Sequence, residues 1–175
     1  MYRMTFWALL ALAPSAQVPP QVHNPELIVT CDPATCSHRY VNGNDFIILE
    51  SPEARLAVAV DRVTLDHHFF SITVAVTNNG DRPIDVVPSK AWLGVDTPKK
   101  EEISSVDPEI VATANHGIDY ATVMKIAMQA NTIDKGQDTI GTIFFKADKK
   151  AQSAHLVMTV GLHIFYVPLT LLHPR

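Results

Sequence analysis

Along most of the chain, apolar and polar positions alternate. The longest such run is His68-Phe69-Phe70-Ser71-Ile72-Thr73-Val74-Ala75-Val76-Thr77, with Phe70, Ile72, Val74 and Val76 on one side. Phe69, Ser71, Thr73, Ala75 and Thr77 fall on the other. A period of two puts successive side chains on opposite faces of a strand, so this segment predicts a strand with one deeply buried face. Leu56, Val58 and Val60, set against Ala57, Ala59 and Asp61, repeat the pattern. Shorter β-rich runs stand at 26–30, 46–49, 84–87 and 90–95. The last two are broken by Pro88, which implies an edge strand or a switch between sheets. Further runs occupy 139–145, 155–160 and 163–169. Turn compositions separate these runs at 42–45, 78–83, 148–150 and Gly161, and the Asn-Gly pairs are expected to take positive φ. About eight or nine strands at this spacing predict a mainly β protein, an antiparallel β-sandwich.

One stretch follows a different period. Asp107-Pro108-Glu109 has the form of an N-cap followed by proline at the first helical position. Ile110, Ala114, Ile118, Ala121, Met124 and Met128 then recur every three or four residues, which predicts a helical insertion over about 107–130 with Gly117 as a break point. Met124 and Met128 beside His116 would suit a soft metal, but methionine at helical spacing is ordinarily core filling.

The chain has 175 residues, 47% of them hydrophobic and 18% charged, which bounds it to one domain plus appendages. Its formal net charge is −4, and its only close basic pairs are Lys99-Lys100 and Lys149-Lys150. Nucleic-acid binding is excluded on that balance, because it needs a basic face to displace counterions from phosphates. The N-terminus carries Arg3, then an apolar run from Phe6 to Ala13 and small residues after it. That run is far shorter than the roughly 20 residues that cross a bilayer, so residues 1–15 read as a secretory signal peptide. A retained N-terminal anchor is the competing reading. No Cys follows the run for lipid modification, and no other segment has the length and apolarity of a membrane span. Residues 16–25 form a Pro-rich lead, and 26–175 the folded domain. The expected location is secreted or periplasmic, in a bacterium.

In an exported chain the two cysteines, Cys31 and Cys36, read as one disulfide across a turn containing Asp32-Pro33. Two other readings compete: metal ligation by Cys31, Cys36 and His38, and a redox-active pair. Neither has the usual spacing for its chemistry. Among the histidines, His67 and His68 follow Asp66, and His155 and His163 flank Gly161 on consecutive strands. A hairpin could set the last two opposite one another, with Met158 on the other face from His155. These four are the candidate metal ligands, while no cofactor is expected. The sequence holds no nucleophile elbow, zinc-protease helix or phosphate loop, so no catalytic residues are assigned and the chain is expected not to be an enzyme.

The string from Ser71 to Ile84, with Val76-Thr77-Asn78-Asn79-Gly80 and Pro83 at its centre, resembles bacterial exported immunoglobulin-like domains with a telokin-like sandwich. Lys135-Gly136-Gln137 before a strand ending in Phe144-Phe145 is similar to a later motif of the same domains. The resemblance spans roughly 45–170 and implies a non-enzymatic exported domain of unknown function, with no catalytic residues to carry over. The expected role is an interaction module for a protein or cell-envelope component, using a sheet face, an edge strand or the helical insertion. The alternative is a periplasmic copper or zinc handler using His67, His68, His116, His155 or His163 with methionines.

Overall fold

The longest alternating run forms the longest strand, Phe69–Asn78 (β5), and its inward side chains Phe70, Ile72, Val74 and Val76 are fully buried. The computed structural model describes residues 27–32, 36–61, 68–95, 101–114, 119–147 and 151–171. On one side β5 pairs antiparallel with Ala54–Val60 (β4), and on the other with Asp138–Lys146 (β10). From β4 the sheet continues to Asn44–Glu50 (β3) and ends at Cys36–Val41 (β2).

A second sheet is built on the hairpin of Ser153–Val160 (β11) and His163–Thr170 (β12). Trp92–Val95 (β7) pairs with β11, and Ile84–Val86 (β6) pairs with it through Val160 and also with Asn131–Ile133 (β9). Ile28–Thr30 (β1) lies along β12 in parallel. Glu102–Val106 (β8) is the corner: Glu102, Ile103 and Ser104 pair with β7, while Ser105 and Val106 pair with Phe145 and Phe144 of β10. One path of strands therefore runs from β1 through β8 to β2, and the sandwich is nearly closed, with a seam where β1 and β2 face each other.

Between the sheets lie Leu49, Leu56, Phe145, Leu93, Met158 and Phe165, all at most 1% exposed. Each such side chain contributes about 1.5–3 kcal/mol on leaving water, which is why period two dictates the architecture.

Several expectations need correction. Among the described residues there are twelve strands rather than eight or nine. The sandwich is not wholly antiparallel, because β1 joins it in parallel. Pro88 opens a 3₁₀ turn at Pro88–Lys90, and the strands on either side both pair with β11, so the chain does not switch sheets there.

The helical insertion is two short helices, Pro108–Ala114 (α1) and Tyr120–Ile126 (α2), and Gly117 lies outside the described residues. The N-cap reading holds, since Glu109 N donates to Asp107 Oδ1 at 2.9 Å. The buried face holds only at Met128, which is buried in the main core. Ile110, Ala114 and Ala121 are exposed, whereas Val111, Ala112, Val123 and Ala127 pack with Phe69 and Phe144 as a second small core on the outer face of the sheet; Ile118 lies outside the described residues. After α2 the chain leaves helical geometry to lie on β10: Ala127 bridges Thr142, and Met128 N donates to Thr142 O at 2.9 Å. Gly141 permits that approach, because a Cβ there would stand 2.4 Å from Met128 Cα.

Asn78 ends β5 and is fully buried. Its Nδ2 donates to Arg82 O at 2.8 Å and to Ile133 O at 3.0 Å, and its Oδ1 accepts from Gly80 N at 2.9 Å. Its backbone oxygen accepts from Gly136 N at 2.8 Å, where Gly136 has φ 74°. The two sequence motifs behind the family resemblance, Asn-x-Gly and Lys-Gly, thus meet in one junction. Asn79 and Gly80 do not take the positive φ expected of them; Asn42 and Gly43 do, at 50° and 87°.

Candidate functional site

Cys31 and Cys36 form the expected disulfide, Cα–Cα 4.8 Å, with Cys36 N donating to Asp32 O at 2.9 Å. Its position gives it meaning beyond a local loop. Cys31 follows β1, the edge of one sheet, and Cys36 opens β2, the edge of the other, so the bridge pins the two edges together at one end of the seam. Both sulfurs are engaged, which removes them as thiolate ligands beside His38.

Farther along the seam the sheets part around a cleft of about 480 Å³. Its floor is apolar, with Ile47 and Val58 from one sheet and Leu169 from the other, and its rim carries His38, Asp45 and His155. The β2–β3 hairpin sets the first two. Asn42 and Gly43 in left-handed conformations close a two-residue turn, which pairs Tyr40 with Asp45 and His38 with Ile47. His38 and Asp45 are then diagonal neighbours on one face, and Nδ1 lies 3.2 Å from Oδ2. Tyr40, on the same face, is 64% exposed. Along β2 every residue after Cys36 is exposed, so the inward face of β2 is left uncovered there, while Leu49 of β3 and most inward residues of β4 and β5 are buried.

The opposite wall of the seam is the edge of β12. β1 covers it only at Ile164, Phe165 and Tyr166. Leu171 N donates to Gln152 O at 2.9 Å, which sets the hydrogen-bonding phase of β11 and β12 so that residues 168 and 170 turn their backbone groups to the open side. Pro168 therefore presents a nitrogen without a proton there, which blunts the edge against uncontrolled pairing.

The other predicted ligands do not converge. His155 pairs with Pro168 and His163 with Val160, so they stand at opposite ends of the hairpin and on opposite faces, contrary to the expectation that they would meet. Met158 does lie on the other face from His155. His163 is buried with its Nδ1 3.7 Å from Glu53 Oε2, beyond hydrogen-bond range. His68 is exposed in the turn before β5; His67 and His116 lie outside the described residues, as do residues 1–26. Among the described residues, no three His, Cys, Asp or Glu side chains group to hold a metal ion, and no helix is long and apolar enough to cross a membrane. Asp61, on the outer face of β4's sheet, accepts from Thr73 Oγ1 at 2.7 Å; burial pushes its carboxyl above the usual range, and that bond draws it partly back.

The His38–Asp45 pair has no counterpart among the sequence-predicted sites, because β2 carries no alternation of its own. The signal is present in Asn42-Gly43, since a two-residue turn fixes which residues oppose one another.

The fold and cleft define a mainly β sandwich with an open seam. Residues 46–164, about two thirds of the chain, match the model of the domain of unknown function DUF4352, and the protein belongs to that family. No curated protein matches the chain. Among solved structures, it is similar to ycdA, a candidate lipoprotein of Bacillus subtilis, at 20% identity and TM-score 0.49, over 70% of this chain and 38% of that one. The chain thus spans about two fifths of that protein's length. It is also similar to the yjhA protein of Bacillus subtilis, at 17% identity and TM-score 0.45, over 63% of this chain and 76% of that one.

Proposed function

We propose that the protein is an exported, non-enzymatic binding module with an immunoglobulin-like sandwich, and that the seam cleft holds an extended segment of a partner protein in the cell envelope. The observation that carries this reading is the uncovered inward face of β2 past Cys36, with exposed Asp45 beside it on β3. Elsewhere in the sandwich the inward positions are sealed by the facing sheet; here they stand open above an apolar floor, with His38 and Asp45 at the rim. Such a mixture of apolar floor and few polar rim groups is what peptide-binding clefts use for affinity and orientation. Export is supported by the N-terminal leader pattern and by the disulfide, which persists in oxidising compartments.

A photo-crosslinking amino acid at Tyr40 tests the reading in the native cell, with the same residue at exposed Thr132 as control. A discrete adduct from the envelope fraction at position 40, absent at 132 and lost on His38→Ala with Asp45→Ala, is the expected result. Equal labelling at both positions, or a mature protein that elutes as an inert monomer without adduct, would overturn it. Lipid or glycan adducts in place of protein would reassign the ligand class.

A further inference from the structure

The helical cap carries apolar surface that its own packing does not use. On α2, Val123 is buried and faces the small outer core with Ala127, while on another face Tyr120 is exposed and Met124, one turn on, is half-buried. Tyr120 is 49% exposed. Met124 and Met128 wall a groove of about 550 Å³ between the helices and corner strand β8. The charged residues that line it are Asp107 and Glu109, both acidic, and no described Lys or Arg does so. Asp107 accepts from a backbone N–H and Glu109 lies 3.5 Å from the Tyr120 hydroxyl; among the described residues neither is paired with a cation.

The groove is also held in shape before anything binds. Its Met128 wall is fixed to β10 by the Ala127–Thr142 bridge and the Met128 N to Thr142 O bond, and Gly141 leaves no slack beneath it. A preformed surface loses less ordering entropy on binding. Half-buried Met124 adds adaptable apolar contact, which suits side chains of varied shape.

We propose that this groove docks a basic, amphipathic segment of a partner protein, with apolar side chains against Met124 and Lys or Arg against Asp107 and Glu109. Carboxylates on the rim without a cation partner among the described residues select the sign of the partner: an acidic segment meets like charge, a basic one gains orientation and association rate. The groove shares no lining residue with the seam cleft, so the two sites are separable by mutation.

The test uses the full mature chain and a fluorescein-labelled Leu/Lys peptide of about 14 residues, with Leu at helical spacing, beside its Leu/Glu counterpart. Fluorescence anisotropy should give saturable binding of the Leu/Lys peptide only. Glu109→Lys and Met124→Asn are each expected to weaken it at least about fivefold. Asp138→Lys, the same charge change at the distant start of β10, should leave Kd within about twofold. Amide chemical-shift changes in the unmodified protein should centre on 107–109 and 124–129, which keeps the proposal testable if a variant is unstable. Equal weakening by Asp138→Lys, indifference to Met124→Asn, or shifts centred elsewhere would overturn it.

Discussion

β5 and β2 belong to the same sheet, one at its centre and one at its edge, and they meet opposite fates. β5 has the interior on one face and the helical cap over part of the other, so even Ser71 and Asn78 are buried. β2 is covered on neither face beyond Cys36. Backbone pairing alone thus makes a strand, but the facing layer decides whether that strand holds the fold together or offers a surface. The same sheet divides accordingly: β4, β5 and β10 carry buried side chains, while β2 past Cys36 stands open.

The contrast is most open to attack at its extremes. Phe145 pairs with Phe70 across β10 and β5 and is fully buried; Phe145→Ala should cost about 3–5 kcal/mol in urea unfolding. Tyr40→Ala, the removal of a similar ring from the hairpin, should move stability by less than about 0.5 kcal/mol. Comparable losses at the two sites would mean that β2 is as structural as β5.

Next in size is Asn78. Asn78→Ala removes three side-chain hydrogen bonds in a buried junction and leaves two carbonyls and one amide without those partners. A loss of about 2–3 kcal/mol is expected. Gln in the same place should not rescue it, because an added methylene displaces the amide from Arg82 O and Ile133 O. Full rescue by Gln would show that the junction tolerates slack and that the geometry matters less than its polarity.

The disulfide comes third. Cys31→Ser with Cys36→Ser opens a ring of sequence separation 5 and should cost about 2 kcal/mol. Where the loss is felt separates the two regions: hydrogen exchange should quicken through 36–50 while amides of β5 and β10 keep their protection at equal distance from the unfolding midpoint. Uniform acceleration across the sheet would mean that the edge and the centre open together.

Particular strands show how much of this division is legible in the sequence. Where one face is buried, alternation is written in residue types, so β4, β5, β10, β11 and β12 are legible almost to their ends. β2, with Ser37, His38 and Arg39 in succession, β8 with Ser104-Ser105, and three-residue β9 carry no such imprint, because their neighbours rather than their own burial recruit them. The helical period overshoots for a related reason. Ala127 and Met128 satisfy helical spacing, yet β10 and the absent Cβ of Gly141 draw them into bridge pairing instead. The disulfide follows from compartment and spacing. The cleft does not, since it depends on two edges that meet only after both sheets are folded.

The smallest expected effect lies between centre and edge, at Asp61. Burial lifts its carboxyl pKa in the folded chain, and the Thr73 hydroxyl, which favours the ionised form, recovers only part of that shift. From the ordinary carboxylate value up to the raised one, the folded chain binds more proton than the unfolded chain, so the contribution of Asp61 falls as pH climbs through that interval and stays low above it. Below the interval the group is neutral in both states and costs nothing. Asp61→Asn keeps an acceptor for Thr73 without the charge, so it should match the parent near pH 3 and exceed it near pH 7, by less than about 1 kcal/mol because the group is partly open to water. Thr73→Val with Asp61 intact should act in the opposite sense at pH 7, by stripping a bond that supports the anion. Urea midpoints of the three proteins at both pH values decide the matter. An Asp61→Asn chain less stable than its parent at pH 7 would mean that the carboxylate is an asset of the outer face, compensated there, and that burial on this side of the sheet is looser than at its centre.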